Sequence, residues 1–96
     1  MFLPTMRLDL FLKVSRLMPR RSIAQEFCDA GRITVNGANA KSSKEVKPGD
    51  EIKISRRDRS TKVLVTELPA GKQVSKNAAG DLYQLLEERE IAGDLI

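Results

Sequence analysis

The segment RLDLFLKVSR, residues 7–16, carries the clearest helical pattern in this chain. Its apolar side chains fall on one arc when the chain is wound at about 100° per residue, namely Leu8, Phe11, Leu12 and Val14. Asp9, Lys13 and Arg16 fall on the other side, so the stretch predicts an amphipathic helix of about two to three turns. We expect Asp9 and Lys13 to form an i,i+4 pair on its solvent side, worth at most a few tenths of a kcal/mol.

A second helix is predicted over residues 19–30, directly after the first. Pro19 suits the first turn of a helix, where a missing N–H costs nothing. The apolar arc of this helix consists of Ile23, Ala24, Phe27, Cys28 and Ala30. Gly31 can adopt the left-handed conformation that ends a helix. Two short helices joined this tightly predict a helical hairpin.

Beyond the hairpin, the apolar period changes from that of helices to that of strands. Strands are predicted over residues 32–35, 51–55 and 61–68. Asn36-Gly37 is the strongest short turn signal in the chain, and Pro48-Gly49 fits the central positions of a type II turn. We expect residues 41–46 to be irregular and residues 56–60 to form a charged loop.

The C-terminal third predicts a linker over residues 69–79 and then a short acidic helix, in which Leu82, Leu85 and Leu86 recur at helical spacing. We expect these leucines to pack on the protein's own core rather than on a partner. The chain thus divides into a flexible N-terminal extension (1–5), a folded domain (6–68), and a linker with a short acidic helix (69–96). Whether translation starts at Met1 or Met6 stays open.

Charge is distributed unevenly along the chain. Residues 1–62 hold fourteen Lys and Arg against seven Asp and Glu, a net charge of +7, whereas residues 63–96 hold three against six, a net charge of −3. The two parts sum to the overall charge of +4. The basic part therefore predicts an anionic partner, with a polyphosphate favoured over an anionic membrane surface.

The residue inventory argues against an enzyme. The chain has no His, the usual general base, and a single Cys. Cys28 falls on an apolar helical arc, where a thiol is typically a small core residue. We therefore expect no catalytic residue, no metal site and no cofactor. One cysteine and the lack of a spanning segment or a secretory signal favour the reducing cytoplasm, and we expect a monomer when the protein is free.

The arginines are the more informative signal. Arg20 and Arg21 stand at or near the start of the second helix, where a cation opposes the helix dipole at a cost of about 0.3–1 kcal/mol. A bound phosphate would account for them, because free N–H groups and guanidinium groups could hold one anion. The predicted anion-binding set is Arg7, Lys13, Arg16, Arg20, Arg21, Arg32, Lys41 and Lys44. Arg56, Arg57 and Arg59 form a separate cluster, typical of a solvated loop.

Many positions match one known domain, in order. They are Arg7-Leu8-Asp9, Phe11-Leu12, Arg21, Ala24, Gly31-Arg32-Ile33, Val35-Asn36-Gly37, Lys41, Val46 and Pro48-Gly49-Asp50. Over about residues 6–60 the chain resembles the RNA-binding domain first seen in ribosomal protein S-four. The resemblance implies an α+β fold, in which a helical hairpin packs on a short antiparallel or mixed sheet, here with a short C-terminal helix added.

Within that superfamily the chain most resembles the small stand-alone bacterial proteins of ribosome-associated quality control, the RqcP family. The further matching features are FLKVSRL (residues 11–17), Arg20-Arg21, and Ala78-Ala79 followed by Leu82-Tyr83 and Leu85. The resemblance implies binding to rRNA and to P-site peptidyl-tRNA on obstructed large ribosomal subunits. It also implies support of an NFACT-class factor that adds alanine tails to stalled chains. Arg7 and Arg21 are the matching positions for rRNA contact, with Arg16 and Arg20 as neighbours.

Two features depart from that pattern, the extension over residues 1–5 and Pro19. Two alternatives stay open. A heat-shock relative in the same superfamily also binds obstructed large subunits, but typically carries a longer basic C-terminal extension. The other alternative is an adaptor whose acidic C-terminal helix contacts a partner protein.

Overall fold

The computed structural model describes residues 5–68 and 82–90, which form an α+β domain. Its two helices are α1 (Leu8–Val14) and α2 (Arg21–Asp29). Its strands are β1 (Met6–Arg7), β2 (Ile33–Val35), β3 (Ala38–Asn39), β4 (Glu45–Val46), β5 (Glu51–Ser55), β6 (Arg59–Val65) and β7 (Tyr83–Glu90). The helical hairpin and the two longer predicted strands are thus confirmed. The polar segment predicted to be irregular is not wholly so, since it contains β4.

The strands form two antiparallel sheets. β1 pairs with β4, and a five-stranded sheet has the order β3-β2-β5-β6-β7. Ile33 lies opposite Ile54, and Ile52 lies opposite Val63, so the apolar residues of neighbouring strands share one face. That face covers the core, while the alternating residues Thr34, Lys53 and Lys62 lie on the other face.

The core lies between the helices and the apolar face of the larger sheet. All four arc residues of α1, which are Leu8, Phe11, Leu12 and Val14, are buried. On α2, Ala24 and Cys28 are buried, and Ile23 and Phe27 are partly buried against the core. The predicted inclusion of Ala30 is wrong, because it is the exposed residue that ends α2 and lies outside the helical arc.

The end of α2 shows why the hairpin turns where it does. Gly31 has φ +73°, and its N–H donates to the carbonyl of Cys28 at 3.0 Å. The N–H of Arg32 donates to the carbonyl of Phe27 at 2.9 Å. These two bonds form a Schellman motif, which satisfies the last carbonyls of the helix and directs the chain into β2.

Both predicted turns are present. Asn36 and Gly37 have φ values of +53° and +88°, the signature of a type I′ turn between β2 and β3. The Asn36 side chain also donates to Asp50 Oδ1 at 3.1 Å and accepts from the N–H of Glu51 at 2.9 Å. In the Pro48-Gly49 turn, the N–H of Asp50 donates to the carbonyl of Lys47 at 3.1 Å. Asp50 therefore ties the two turns together.

The C-terminal segment corrects the prediction, because residues 83–90 form the edge strand β7 and not a helix. The spacing of Leu82, Leu85 and Leu86 satisfies a helical period, yet an eight-residue helix would be marginal by itself. Pairing with β6 gives residues 83–90 backbone partners along one side of the strand. Leu82 is buried as predicted, but Leu85 and Leu86 are 51% and 42% exposed.

The predicted linker over residues 69–79 lies outside the described residues, as do residues 1–4 of the predicted extension and residues 91–96. Neither α1 nor α2 is long and apolar enough to cross a membrane. Within residues 5–68 and 82–90, no group of three His, Cys, Asp or Glu side chains could hold a metal ion.

Candidate nucleic-acid interface

A buried carboxylate organises the start of the hairpin. Asp9 is 0% exposed, although it stands on the polar side of the sequence arc. Its Oδ2 accepts from Nη2 of Arg7 at 3.2 Å and from Nε2 of Gln25 at 2.9 Å. Its Oδ1 accepts from Nε of Arg7 at 3.3 Å and from the N–H of Leu10 at 2.7 Å. Nε of Arg21 lies 3.2 Å from Oδ2 as an ion pair.

The expected Asp9–Lys13 pair is therefore wrong. The carboxylate turns away from solvent toward α2 and makes its ion pairs with Arg7 and Arg21, while Lys13 is exposed. Arg7, Asp9, Arg21 and Gln25 are called the Asp9 cluster below. It joins residues from β1, α1 and α2.

The cluster keeps Asp9 ionised. Burial by itself raises the pKa of a carboxyl, but the Gln25 amide, the Arg21 and Arg7 guanidiniums and the Leu10 N–H together lower the pKa of Asp9 below its ordinary 3.8. One buried negative charge thus faces two guanidiniums at neutral pH. The cluster as a whole keeps one net positive charge.

Arg7 and Arg21 are anchored but not consumed by this contact. Their side chains remain 48% and 41% exposed. The buried Nε of Arg21 has no hydrogen bond, because its N–H does not point at the nearby Oδ2. In the described part of the chain, its two Nη groups also have no partner, so they are available to an anion. Two guanidiniums held at fixed positions have the geometry and charge that phosphate recognition requires.

The segment of residues 41–46 lies beside this cluster. The N–H of Leu8 donates to the carbonyl of Lys44 at 2.7 Å, and that of Asp9 donates to the carbonyl of Ser42 at 3.1 Å. In the strand register, Arg7 of β1 also lies opposite Glu45 of β4. The start of α1 is therefore capped by main-chain carbonyls, and the same bonds bring Lys41 and Lys44 next to the cluster.

The start of α2 has the geometry that the arginine argument requires. Arg20 is the N-cap residue, its φ and ψ are −144° and 150°, and no side chain caps the helix. Arg21 is the first helical residue, and the first turn contains no acidic residue. Arg20 is exposed and unpaired within the described residues, so both cations adjoin the free N–H groups of α2.

Arg16 has an unusual backbone conformation. It follows the last residues of α1 with φ +63°, the left-handed region, which costs a side-chain-bearing residue about 1–2 kcal/mol. Glycine is the usual residue at such a position. Arg16 and Arg20 therefore share one property: each is an exposed arginine at a position where another residue would stabilise the fold better.

The predicted set is not one compact patch. Arg7, Arg21, Arg20, Lys41 and Lys44 lie around the two helix starts. Lys13 and Arg16 lie toward the other end of α1, about 6 Å or more along the helix from Asp9. Arg32 lies past the end of α2, roughly 12 Å along its axis from Arg21. These three cations are exposed, and among residues 5–68 and 82–90 none of them forms an ion pair with a buried carboxylate.

The second arginine cluster separates into different roles. Nη2 of Arg56 donates to the carbonyl of Leu17 at 3.1 Å, and its Nη1 donates to Oγ1 of Thr61 at 3.0 Å. Arg59 is paired with Glu88 of β7 and with Asp58. Arg57 is exposed and has no partner among the described residues. Arg56 therefore joins the hairpin loop to the connection between α1 and α2.

Comparison with known proteins identifies the family. Residues 6–52 match the model of the S4 domain. The chain is 45% identical over 86 residues to the RQC P-site tRNA stabilizing factor of Bacillus subtilis, an alignment that covers 90% of this chain and 98% of that protein. The chain belongs to this family.

Further relatives support the assignment. The Streptococcus pneumoniae protein of the same name is 41% identical over 90% of this chain and 96% of its own length. Heat Shock Protein 15 of Vibrio cholerae has a similar structure, with a TM-score of 0.76, 26% identity and coverage of 86% and 83% of the two chains. The resemblance to the S-four domain and to the quality-control family is thus confirmed.

The sequence located the arginines but not the residues that hold them. The sequence pattern predicts no role for Gln25 and places Asp9 on the solvent side, whereas Gln25 donates to a fully buried Asp9. One signal was available. An aspartate directly beside the apolar residues Leu8 and Leu10 can be buried when several donors surround it, although its helical period alone places it in solvent.

Proposed function

We propose that this protein binds structured RNA on large ribosomal subunits that carry peptidyl-tRNA, and that it stabilises the P-site tRNA there. The observation that carries the proposal is the convergence of Arg7 and Arg21 on the buried carboxylate of Asp9. The names of the relatives, which specify ribosome-associated quality control and P-site tRNA, supply the biological setting.

The physical basis is recognition of phosphate positions. The full predicted set is Arg7, Lys13, Arg16, Arg20, Arg21, Arg32, Lys41 and Lys44. Aromatic residues make up only 4% of the chain, so stacking on single-stranded RNA contributes little. Anchored guanidiniums instead suit a folded RNA whose phosphates have fixed spacing.

The proposal extends to partners. The RNA targets are large-subunit rRNA and the peptidyl-tRNA in the P site, and the protein partner is an NFACT-class factor. By stabilising the tRNA, the protein supports that factor as it adds alanine tails to the stalled chain. The protein itself performs no chemical step, and its role is to bind and to position.

Co-sedimentation with purified large subunits tests the RNA surface. Arg7→Ala and Arg21→Glu should each weaken binding while circular dichroism shows an unchanged fold, and Arg57→Ala is the matched control from outside the predicted set. If about four to six phosphates are contacted, log K falls with log salt at a slope of roughly −3 to −5. Wild-type affinity in both variants, or an affinity independent of salt, would contradict the proposed surface.

A pull-down from cells with stalled translation tests whether the protein acts in ribosome-associated quality control. Quality control predicts that both peptidyl-tRNA and an NFACT-class protein are recovered, and that deletion of the gene reduces alanine tails on stalled chains. Recovery of large subunits without the NFACT-class protein would favour the heat-shock alternative, to which the structural similarity also points.

A second candidate function rests on β7. The described part of this strand has exposed Leu85 and Leu86 beside Glu87, Glu88 and Glu90, a surface suited to a protein rather than to RNA. Replacing both leucines with serine separates the adaptor role from RNA binding. Loss of the NFACT-class protein with retained large-subunit binding would support an adaptor role in addition to RNA binding.

A further inference from the structure

An open groove lies between β3 and the turn formed by residues 41–44. It is lined by Val35, Ala38, Asn39, Ala40, Lys41, Ser43 and Lys44. The pairing of Val35 with Ala38 in the β2–β3 hairpin fixes one side. On the other side, the N–H of Lys44 donates to the carbonyl of Lys41 at 2.9 Å, so one tight turn holds both lysines. We call this feature the β3 groove.

The charges around the groove favour an anionic occupant. Lys41 and Lys44 are exposed, and in the described ranges neither makes an ion pair or a side-chain hydrogen bond. The nearest acidic residue in the sequence, Glu45, instead accepts a hydrogen bond from Thr5. Two uncompensated lysines in one turn repel each other, and a bound phosphate removes that repulsion.

The other groove residues indicate which anion. The groove surface is more apolar than polar, with the exposed methyl group of Ala38 at its mouth and the nearly buried Val35 and Ala40 at its floor. A free phosphate cannot use such a surface, but the face of a nucleobase can. The amide of Asn39 carries both donors and an acceptor, the combination that recognises the edge of a base. A base inside an A-form helix hides its faces by stacking, so only an unpaired nucleotide could enter.

The groove continues the surface already described, because the carbonyl of Lys44 accepts the N–H of Leu8 at 2.7 Å beside the Asp9 cluster. We infer that the β3 groove binds one unpaired nucleotide of the RNA, with its base on the apolar residues, its edge on Asn39 and its flanking phosphates on Lys41 and Lys44. This inference rests on the proposed RNA binding and adds a preference for an unpaired base.

The groove inference is tested by measuring the affinity of the whole chain for two short RNA hairpins. One stem is fully paired, and the other carries a single unpaired adenosine, replaced by 2-aminopurine for fluorescence. Ala38→Leu fills the groove from an exposed strand position, and Asn39→Ala removes the amide. Ala30→Leu, which makes the same enlargement at an exposed site that does not line the groove, is the matched control.

The wild type and Ala30→Leu should bind the bulged hairpin about tenfold more tightly than the paired one and change the 2-aminopurine fluorescence. Ala38→Leu and Asn39→Ala should reduce that preference while leaving affinity for the paired hairpin unchanged. Equal affinity of the wild type for both hairpins would overturn the groove inference alone. Failure to bind either hairpin would also overturn the groove inference, and the proposed RNA binding would fall with it if the wild type also did not co-sediment with large subunits.

Discussion

The Nε2 group of Gln25 donates a 2.9 Å hydrogen bond to Oδ2 of Asp9, across sixteen residues of sequence. This bond links the second residue of α1 to the middle of α2. Because the same carboxylate also contacts Arg7 and Arg21, the packing of the hairpin and the placement of its exposed cations depend on one group. Stability and RNA binding should therefore respond together when Asp9 is changed.

Asp9→Asn should lower the free energy of unfolding by about 1–3 kcal/mol. The substitution removes the negative charge that pairs with Arg7 and Arg21, and it places an amide NH2 group where several donors converge. Urea unfolding at neutral pH measures this. Asp58→Asn, at a carboxylate that is 72% exposed, is the control and should change stability by less than about 0.5 kcal/mol.

The same variant separates preorganisation from net charge. Asp9→Asn raises the formal net charge from +4 to +5, so a simple charge effect would strengthen binding to RNA. Loss of the anchor for Arg7 and Arg21 predicts weaker binding instead. Tighter binding by Asp9→Asn would show that the cluster does not position the arginines.

Stability should fall in acid. The pKa values of Asp9 and Asp50 are both lowered from 3.8. Burial raises each pKa, but the hydrogen bonds from Gln25 and Arg7 and the adjacent Arg21 guanidinium outweigh burial at Asp9, and the hydrogen bonds from Asn36 and Lys47 outweigh it at Asp50. In the unfolded chain these carboxyls therefore bind protons more readily. Their contribution is complete above the unfolded value, and it is lost as pH falls through that value toward the lower native ones.

Urea titrations at neutral pH and at several acidic pH values check this. The Asp9→Asn/Asp50→Asn double variant should show a flatter dependence of unfolding free energy on pH than the wild type. Wild-type stability that rises on acidification below the ordinary Asp pKa would contradict the linkage. Asp58→Asn should follow the wild-type profile, because that carboxylate is 72% exposed and is not held by buried donors.

Arg56 should be a structural residue, unlike its neighbour Arg57. Arg56→Ala removes the bonds to the Leu17 carbonyl and to Thr61 and should lower the unfolding free energy by about 1–2 kcal/mol. Affinity for large subunits, corrected for the folded fraction, should not change. Arg57→Ala should alter neither quantity. Weaker RNA binding by Arg56→Ala at wild-type stability would assign Arg56 to the interface instead.

The parts of the fold that were predictable from sequence depend on neighbouring residues. Gly31 ends α2, and Asn36-Gly37 turns β2 into β3, because each conformation is set by a few adjacent positions. The placement of Arg20 and Arg21 at the start of α2 also follows from adjacent positions in the sequence. The burial of Asp9 was not, since it requires Gln25 and Arg21 from another helix.

The C-terminal strand also depends on residues that are distant in sequence. Leu82, Leu85 and Leu86 satisfy a helical period, and no pattern in the adjacent sequence predicts a strand. The strand conformation of residues 83–90 depends on the free edge of β6, where Val63 lies opposite Leu85 and Val65 lies opposite Tyr83. An irregularity between Lys62 and Val63 also breaks the two-residue alternation that would reveal a strand.

Arg20→Asp should separate folding from binding. Arg20 is the N-cap of α2 and provides no capping bond, whereas Asp is a preferred N-cap residue and also suits the helix dipole. The variant should therefore raise the unfolding free energy by about 0.5–2 kcal/mol. It should also weaken large-subunit binding and make the salt slope shallower by roughly one. Arg20→Ala, which removes the charge without adding a cap, should weaken binding with little change in stability. If Arg20→Asp stabilised the protein and bound large subunits as the wild type does, the arginine at this position would have no role in holding phosphate.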